Sequence, residues 1–259
     1  MILEDLLVLF VATPISFLIL KKYKQDKIAF AWIVPWTILL FIDKTGSELY
    51  FSLLLFSIGL VLGIITDITG VYTHKWWYPL YNDRLYSLSA FWGWGIMTLL
   101  IFRFYEFIMT NFEIFGWFII ILFFILWIVV DFTRGKTSLR NYWTLVRAGI
   151  SILFLALSND ILFLLVAAAG AVFIEVLGTE LKIWIYYDLT PSYIYLGTGY
   201  AQLSYICLLL AKFIVYDIVP MFIQLILIGL LIILYITEYY IDTRDYIKNE
   251  KNAQTNEAM

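Results

Sequence analysis

Long apolar runs alternate with short polar segments along most of the chain. A transmembrane helix needs roughly 20 predominantly apolar residues, and inside lipid a helix satisfies its own backbone hydrogen bonds. The pattern therefore predicts an all-α, polytopic integral membrane protein with nine transmembrane helices. The predicted spans cover residues 2–20, 28–43, 49–67, 86–109, 115–131, 142–157, 161–178, 198–218 and 220–241.

The composition agrees with a chain that has the lipid bilayer as its solvent and partner. Hydrophobic residues make up 63% of the chain and charged residues 14%, whereas soluble domains are about half apolar and a quarter charged. A single histidine, His74, argues against a haem or a multi-histidine metal site, and a single cysteine, Cys207, rules out an intramolecular disulfide. We expect no metal and no nucleic acid partner.

The basic residues predict the orientation in the membrane. Of the 17 lysines and arginines, Lys44 lies on one side, Arg103, Arg147 and Lys212 lie in or near spans, and the other 13 lie on the opposite side. Cytoplasmic loops of membrane proteins carry an excess of Lys and Arg. We therefore expect a multi-pass protein of the cell membrane with its N-terminus outside and its C-terminus in the cytoplasm.

One motif occurs twice, 108 residues apart. The stretches "DITGVYTHKWWY" (67–78) and "EVLGTELKIWIY" (175–186) share the order carboxylate-x-x-Gly-x5-Trp-x-Tyr. An offset of four spans predicts two parallel repeats related by an axis near the membrane normal. Four segments follow: a first helix with a basic loop (1–27), repeat 1 (28–131), repeat 2 (132–241) and a polar cytoplasmic tail (242–259).

Asp67 and Glu175 are the candidate catalytic residues. Ionisable groups within spans are costly and mark functional sites by default. Low dielectric and the negative end of the helix dipole both disfavour the charged carboxylate, and a carboxylic acid that keeps its proton can act as a proton donor. Alternatively, each acid accepts hydrogen bonds from the re-entering segment, or pairs with Arg103 or Lys212. We expect the site to lie between spans 3, 4, 7 and 8.

Aromatic residues of the two motifs are candidates for the wall of a binding site. Trp76 and Tyr78, like Trp184 and Tyr186, alternate along the chain, which places both rings of a pair on one face of an extended segment. Aromatic faces attract cations. The alternative is that these residues anchor the protein at the membrane interface.

Arg103 and Lys212 follow the two motifs at similar distances. Each precedes an acid, Glu106 or Asp217, about one helical turn further along. They either neutralise these acids or bind an anionic head group, such as a pyrophosphate, as part of a substrate site.

The repeated motif resembles that of two related families of membrane carotenoid-biosynthesis proteins. These are the lycopene cyclases of the heterodimeric or fused type and the bacterioruberin-type carotenoid hydratases. The resemblance implies acid roles for Asp67 and Glu175, a hydrophobic isoprenoid substrate and no cofactor. The chain departs from the cyclases because it lacks their Pro-x-Glu-Glu stretch, and the corresponding segments are "FWGWG" (91–95) and "GTGYAQLSY" (197–205).

Two function classes follow from these residues. The first is a membrane isoprenoid or carotenoid-modifying enzyme that performs acid-initiated cyclisation or hydration of a polyene. The alternative is a proton-coupled transporter or membrane binding protein, in which the same acids relay protons and the repeats rock for alternating access.

Overall fold

A computed structural model describes five continuous segments of the chain and a few further positions. The segments are residues 2–72, 76–79, 87–111, 161–186 and 193–217, and the further positions are 118, 125, 222, 224–226, 228–230, 232–233 and 237. The predicted spans at 115–131 and 142–157 lie outside the described residues except for Phe118 and Ile125. The tail at 242–259, His74 and the predicted boundary between the repeats also lie outside them.

The described chain is almost entirely helical, as predicted. The N-terminal helical stretch consists of α1 (Ile2–Leu7), a π-helical turn (Val8–Ala12) and α2 (Thr13–Tyr23). The other elements are α3 (Asp26–Ile42), α4 (Gly46–Tyr72), β1 (Trp76–Trp77), α5 (Leu88–Asn111), α6 (Ile161–Glu180), β2 (Ile185–Tyr186) and α7 (Tyr193–Tyr216).

Several of these helices are long and apolar enough to cross a membrane. By length and composition, five described helical segments qualify: Leu3–Tyr23, Gly46–Tyr72, Leu88–Asn111, Leu162–Glu180 and Gly199–Tyr216. Helix α3 has 17 residues, or about 25 Å at 1.5 Å per residue, slightly less than a bilayer core of about 30 Å. The all-α fold is therefore confirmed, and the long apolar helices agree with a membrane protein. The nine spans and the two repeats stay predictions.

Two predicted helix ends were too early. The third and seventh spans were predicted to end at residues 67 and 178, but α4 continues to Tyr72 and α6 to Glu180. The prediction took Asp67 as the end of the third span, whereas the seventh span already included Glu175. In the structure Asp67 and Glu175 each lie five residues before the end of a helix and are buried against other helices, so neither acid needs the helix to end in order to be satisfied.

Four helices form the centre of the bundle and correspond to predicted spans 3, 4, 7 and 8. Helix α4 packs against α5 and α7, and α6 packs against α7 and α5. Small residues allow close approach between these helices: a Cβ on Gly63 would overlap the Trp94 side chain, and one on Gly95 would meet the Phe56 ring at 2.7 Å. The buried core includes Leu55, Leu99, Phe163 and Leu208.

The N-terminal stretch and α3 pack onto this central bundle. Phe10 contacts Phe173 with ring centroids 5.6 Å apart, and Phe17 contacts Trp184 at 5.7 Å. The π-helical turn alters the backbone hydrogen-bond ladder, and two side chains donate hydrogen bonds to its carbonyl oxygens. Thr13 Oγ1 donates to the Val8 carbonyl at 2.8 Å, and Trp32 Nε1 of α3 donates to the Ala12 carbonyl at 3.1 Å.

Candidate functional site

The two copies of the motif meet as a short antiparallel ribbon. Trp76 pairs with Tyr186 and Trp77 pairs with Ile185. Because Trp77 and Ile185 occupy the same position in the two motifs, the pairing is symmetric about them. The ring contacts repeat accordingly: Trp76 meets Tyr186 at 6.0 Å and 69°, and Tyr78 meets Trp184 at 6.4 Å and 72°.

The glycine of each motif explains how the chain folds back onto its own helix. The six-membered ring of Trp76 lies directly on Gly70, and that of Trp184 lies directly on Gly178. A Cβ at either glycine would overlap the ring. Glycine is therefore required one turn after each acid, where it lets the tryptophan approach the helix backbone.

Glu175 is buried at the centre of the second motif and accepts three side-chain hydrogen bonds. Trp184 Nε1 and the Tyr186 hydroxyl each donate to Oε2 at 3.0 Å, and the Tyr200 hydroxyl donates to Oε1 at 2.5 Å. The Glu175 side chain is 2% exposed, so these donors replace the water that a carboxyl would otherwise bind.

Asp67 has an equivalent environment in the first motif. It is 4% exposed, and the Tyr78 hydroxyl donates to its Oδ2 at 3.1 Å. Trp94 of α5 lies beside the same carboxyl and acts on it electrostatically. Each acid thus accepts a hydrogen bond from the tyrosine of its own motif and lies beside an aromatic residue of the following helix.

Aromatic contacts join the two acids into one cluster. Trp94, which lies beside Asp67, stacks on Tyr200, which donates to Glu175, with ring centroids 4.8 Å apart and an interplanar angle of 13°. Tyr78 and Trp184 form a second bridge between the acids. We call these six residues the acid–aromatic cluster: Asp67, Tyr78, Trp94, Glu175, Trp184 and Tyr200.

Tyr186 lies in β2 at the edge of this cluster and is a neutral hydrogen-bond donor. Burial, followed by the neighbouring Glu175 carboxyl, raises the pKa of Tyr186 well above its ordinary value. Its hydroxyl therefore keeps its proton and donates a hydrogen bond to Oε2 of Glu175.

Both acids accept hydrogen bonds from the re-entering segment, which is one form of the structural alternative to a catalytic role. No described lysine or arginine forms an ion pair with Asp67 or Glu175. Three of the four motif aromatics, Tyr78, Trp184 and Tyr186, donate hydrogen bonds to the acids. The fourth, Trp76, packs on Gly70 and on Tyr186.

Arg103 lies away from the acids and has partners that were not predicted. It lies nine residues beyond Trp94 on α5, which is about 13 Å along the helix axis. Its Nη1 lies 2.9 Å from Asp5 Oδ1 and donates to the Leu40 carbonyl at 2.9 Å, while Nη2 lies 3.2 Å from Asp43 Oδ1. These ion pairs connect α5 to α1 and to the end of α3, whereas the sequence pattern considered only the nearby Glu106.

Lys212 is half-buried on α7, also away from the acids along its helix. Its charge acts on Glu106 of α5, the acid that was expected to pair with Arg103. The structure therefore brings Asp67, Glu175 and the motif aromatics together, and it places both basic residues further along the bundle.

Sequence reasoning missed Trp94, Tyr200 and Asp26. Trp94 and Tyr200 follow their acids by 27 and 25 residues, a similar but unequal spacing that could have suggested a further shared feature. Asp26, in the first turn of α3, caps the start of α5. Its carboxylate accepts from the Leu88 and Ser89 amides at 2.5 and 3.0 Å and from the Ser87 and Ser89 hydroxyls.

The cluster offers carboxyl groups, phenol hydroxyls, indole N–H groups and aromatic faces. Across the described segments, no group of three His, Cys, Asp or Glu residues is placed to hold a metal ion. No protein-family model, no curated protein and no solved structure matches the chain. The functional argument therefore depends on the geometry of the cluster.

Proposed function

We propose that the chain is a membrane enzyme that modifies an isoprenoid or carotenoid polyene by acid-initiated cyclisation or hydration. The observation that carries the proposal is the pair of buried carboxyl groups, Asp67 and Glu175, within one aromatic cluster. Buried acids provide a proton donor in a water-poor environment, and aromatic faces stabilise a cation that forms beside them.

The proposed reaction needs no redox cofactor. One carboxyl adds its proton to an alkene carbon, and the alkene electron pair forms the new C–H bond and leaves a carbocation. In cyclisation, a neighbouring double bond attacks the cation, and a carboxylate removes a proton from the ring. In hydration, water attacks the cation and gives its extra proton to the carboxylate. The Tyr186 and Tyr200 hydroxyls keep their protons throughout and orient the Glu175 carboxyl by the hydrogen bonds that they donate to it.

The proposal includes the full architecture of two four-helix repeats, nine spans, an external N-terminus and a cytoplasmic C-terminus. Equivalent local geometry supports the repeats. In both motifs the acid lies five residues before a helix end, the tryptophan packs on the glycine and the tyrosine donates to the acid. Helices α4 and α6 also have equivalent neighbours, because each packs against both α5 and α7.

The test is a carotenoid profile of cells that accumulate lycopene and express the chain. Liquid chromatography with mass detection should show an isomer of unchanged mass for cyclisation, or a gain of one water for hydration. Asp67→Asn and Glu175→Gln should reduce the product. Glu106→Gln is the matched control, because Glu106 is an acid of α5 outside the acid–aromatic cluster. If both acid variants formed as much product as the native chain, the acid role would be refuted. An unchanged profile in cells that express the native protein well would exclude lycopene as the substrate.

One observation favours a proton-coupled transporter as the second candidate. Buried ionisable groups occupy two levels of the bundle, with Asp67 and Glu175 at one level and Asp5 and Arg103 at the other. Proton pathways through membranes use such groups. In this function the two repeats would rock against each other, and the ribbon that joins the motifs would have to move.

A disulfide across the ribbon distinguishes the two functions. Trp77 and Ile185 are antiparallel partners, and such pairs have Cα atoms about 4.5–5.5 Å apart, within disulfide range. Trp77→Cys with Ile185→Cys should therefore lock the ribbon on oxidation. An enzyme whose substrate is dissolved in lipid should keep its turnover when locked, whereas a rocking transporter should lose transport and regain it on reduction.

A further inference from the structure

Four exposed lysines form a compact group where α2 turns into α3. The segment 21–27 reads "KKYKQDK", and Lys21, Lys22, Lys24 and Lys27 are all exposed. We call this segment the lysine turn. It does not contact the acids of the candidate site, and the proposed function does not use it.

The backbone of the turn brings the lysines of two helices to one tip. Lys24 adopts the left-handed conformation at φ 52°, and its amide donates to the Leu20 carbonyl at 2.9 Å, which ends α2. Left-handed backbone is uncommon for residues other than glycine. The chain reverses there, and α3 begins two residues later at Asp26. Lys22 Nζ lies 5.1 Å from the centre of the Tyr23 ring, which is also exposed.

The one acid of the turn does not neutralise these lysines. Asp26 directs both carboxylate oxygens at the start of α5, where they accept from Leu88 and from the two flanking serines. Within the described part of the chain, none of the four lysines forms an ion pair. Lys44 contrasts with them, since its Nζ lies 3.3 Å from Glu48.

The surroundings place the turn at the depth of the lipid head groups. Leu20 and Ala29, which flank the turn, pack with Tyr78, Ile183 and Trp184 beside the ribbon. Val71 packs against the same cluster. Trp77, next to Tyr78 in the chain, is 39% exposed, and Tyr72, next to Val71, is 66% exposed. Tryptophan and tyrosine are enriched where a membrane protein crosses from hydrocarbon to water, and the membrane-length helix Leu3–Tyr23 ends within this turn.

We infer that the lysine turn is a binding surface for the anionic head groups of membrane phospholipids. Lysine ammonium groups are compact point charges that attract phosphate. A basic residue next to an anionic membrane surface favours binding by about 1 kcal/mol, which corresponds to about a fivefold preference. The surface therefore selects anionic over zwitterionic lipid at this end of the bundle, and it anchors the α2–α3 corner beside the candidate site.

The test measures lipid selectivity of the full chain in phosphatidylcholine vesicles. Small amounts of spin-labelled phosphatidylglycerol or spin-labelled phosphatidylcholine report the lipid that the protein immobilises, by electron paramagnetic resonance. We expect the native chain to prefer phosphatidylglycerol by about fivefold for one engaged lysine, and we expect added sodium chloride to weaken this preference. Changing all four lysines to glutamine should bring the preference close to one.

Three controls separate charge from fold and identify the source of the phosphate. Changing the four lysines to arginine should keep the preference, and Lys44→Gln, at the other end of α3, should leave it unchanged. Protease accessibility of the tail verifies that all variants have the same orientation. The inference is overturned if the native chain shows no preference, or if the glutamine variant keeps it. Inorganic phosphate and sodium chloride are also compared at equal ionic strength. If phosphate reduced the lipid preference more than sodium chloride did, the ligand would be free phosphate, and the inference would be overturned.

Discussion

Alanine at Gly178 should destabilise the protein, although alanine is the better helix-forming residue. The new Cβ would overlap the six-membered ring of Trp184, which is itself buried. The ring would have to move away from α6, and its Nε1 would then lose the hydrogen bond of 3.0 Å to Glu175. The same change at Gly70 would displace Trp76, which is half-buried.

The magnitude follows from three contributions. Overpacking a filled site costs about 1–3 kcal/mol. Removing a donor from a buried acceptor costs about 1–3 kcal/mol. Replacing glycine by alanine within a helix stabilises the helix by about 1 kcal/mol, which opposes the first two contributions. We therefore expect the free energy of unfolding to fall by about 1–5 kcal/mol for Gly178→Ala, and by less for Gly70→Ala, where the ring displacement is the main cost.

Gly93 of α5 provides the matched control. A Cβ there would have no atom within 4 Å, so Gly93→Ala should be neutral or should stabilise the protein by up to about 1 kcal/mol. The assay is equilibrium unfolding in mixed micelles of a mild detergent with sodium dodecyl sulfate. Cys207, the single cysteine, is buried, so its reaction with a thiol reagent reports unfolding of α7.

The expected order of stability is Gly93→Ala, then Gly70→Ala, then Gly178→Ala. If Gly178→Ala proved as stable as Gly93→Ala with an unchanged near-ultraviolet circular dichroism spectrum, the packing of Trp184 on the helix backbone would be wrong. The motif glycines would then have no steric role.

Three further predictions use the same unfolding titration. Asp26→Ala should lower the free energy of unfolding by about 1–3 kcal/mol, because α5 loses its cap. Asp26→Asn keeps an acceptor oxygen and should lower it less. Equal losses in the two variants would contradict the capping role. Arg103→Met should lower the free energy of unfolding by about 3–5 kcal/mol, because it leaves Asp5 buried without its partner. Adding Asp5→Leu to this variant should restore part of the lost stability. If the effects of the two substitutions were simply additive, the ion pair would be contradicted. The raised pKa of Tyr186 means that the unfolded chain releases this proton at lower pH than the folded chain, so stability should fall as pH rises above about 10. Tyr186→Phe should flatten this alkaline decline, and an unchanged slope would argue against the buried hydroxyl.

The sequence predicted those parts of the site that lie close together along the chain. The spacing from Asp67 to Tyr78, and from Glu175 to Tyr186, is short enough that a helix end followed by a reversal brings the tyrosine back to its acid. The structure shows this hydrogen bond in both motifs. The alternation of aromatic residues likewise predicted which rings face inward.

The sequence patterns did not predict the contacts that other helices make with the site residues. Trp94 and Tyr200 meet only because α5 and α7 approach the acids from different parts of the chain. Arg103 was compared with Glu106, its neighbour in sequence, but its charge is neutralised by Asp5 and Asp43. A charged side chain within a span must find a partner somewhere in the bundle, and sequence alone does not tell which helix supplies it.

Patterns along the chain were therefore enough to predict an apolar, helical protein and the contacts within each motif. These depend on hydrophobicity over one span and on geometry within about a dozen residues. The pairing of the two motifs at Trp77 and Ile185, and the two aromatic bridges between the acids, became visible only in the folded protein. The physical reason is that contacts between distant segments depend on how whole helices pack, and the spacing of residues along one helix does not specify its neighbours.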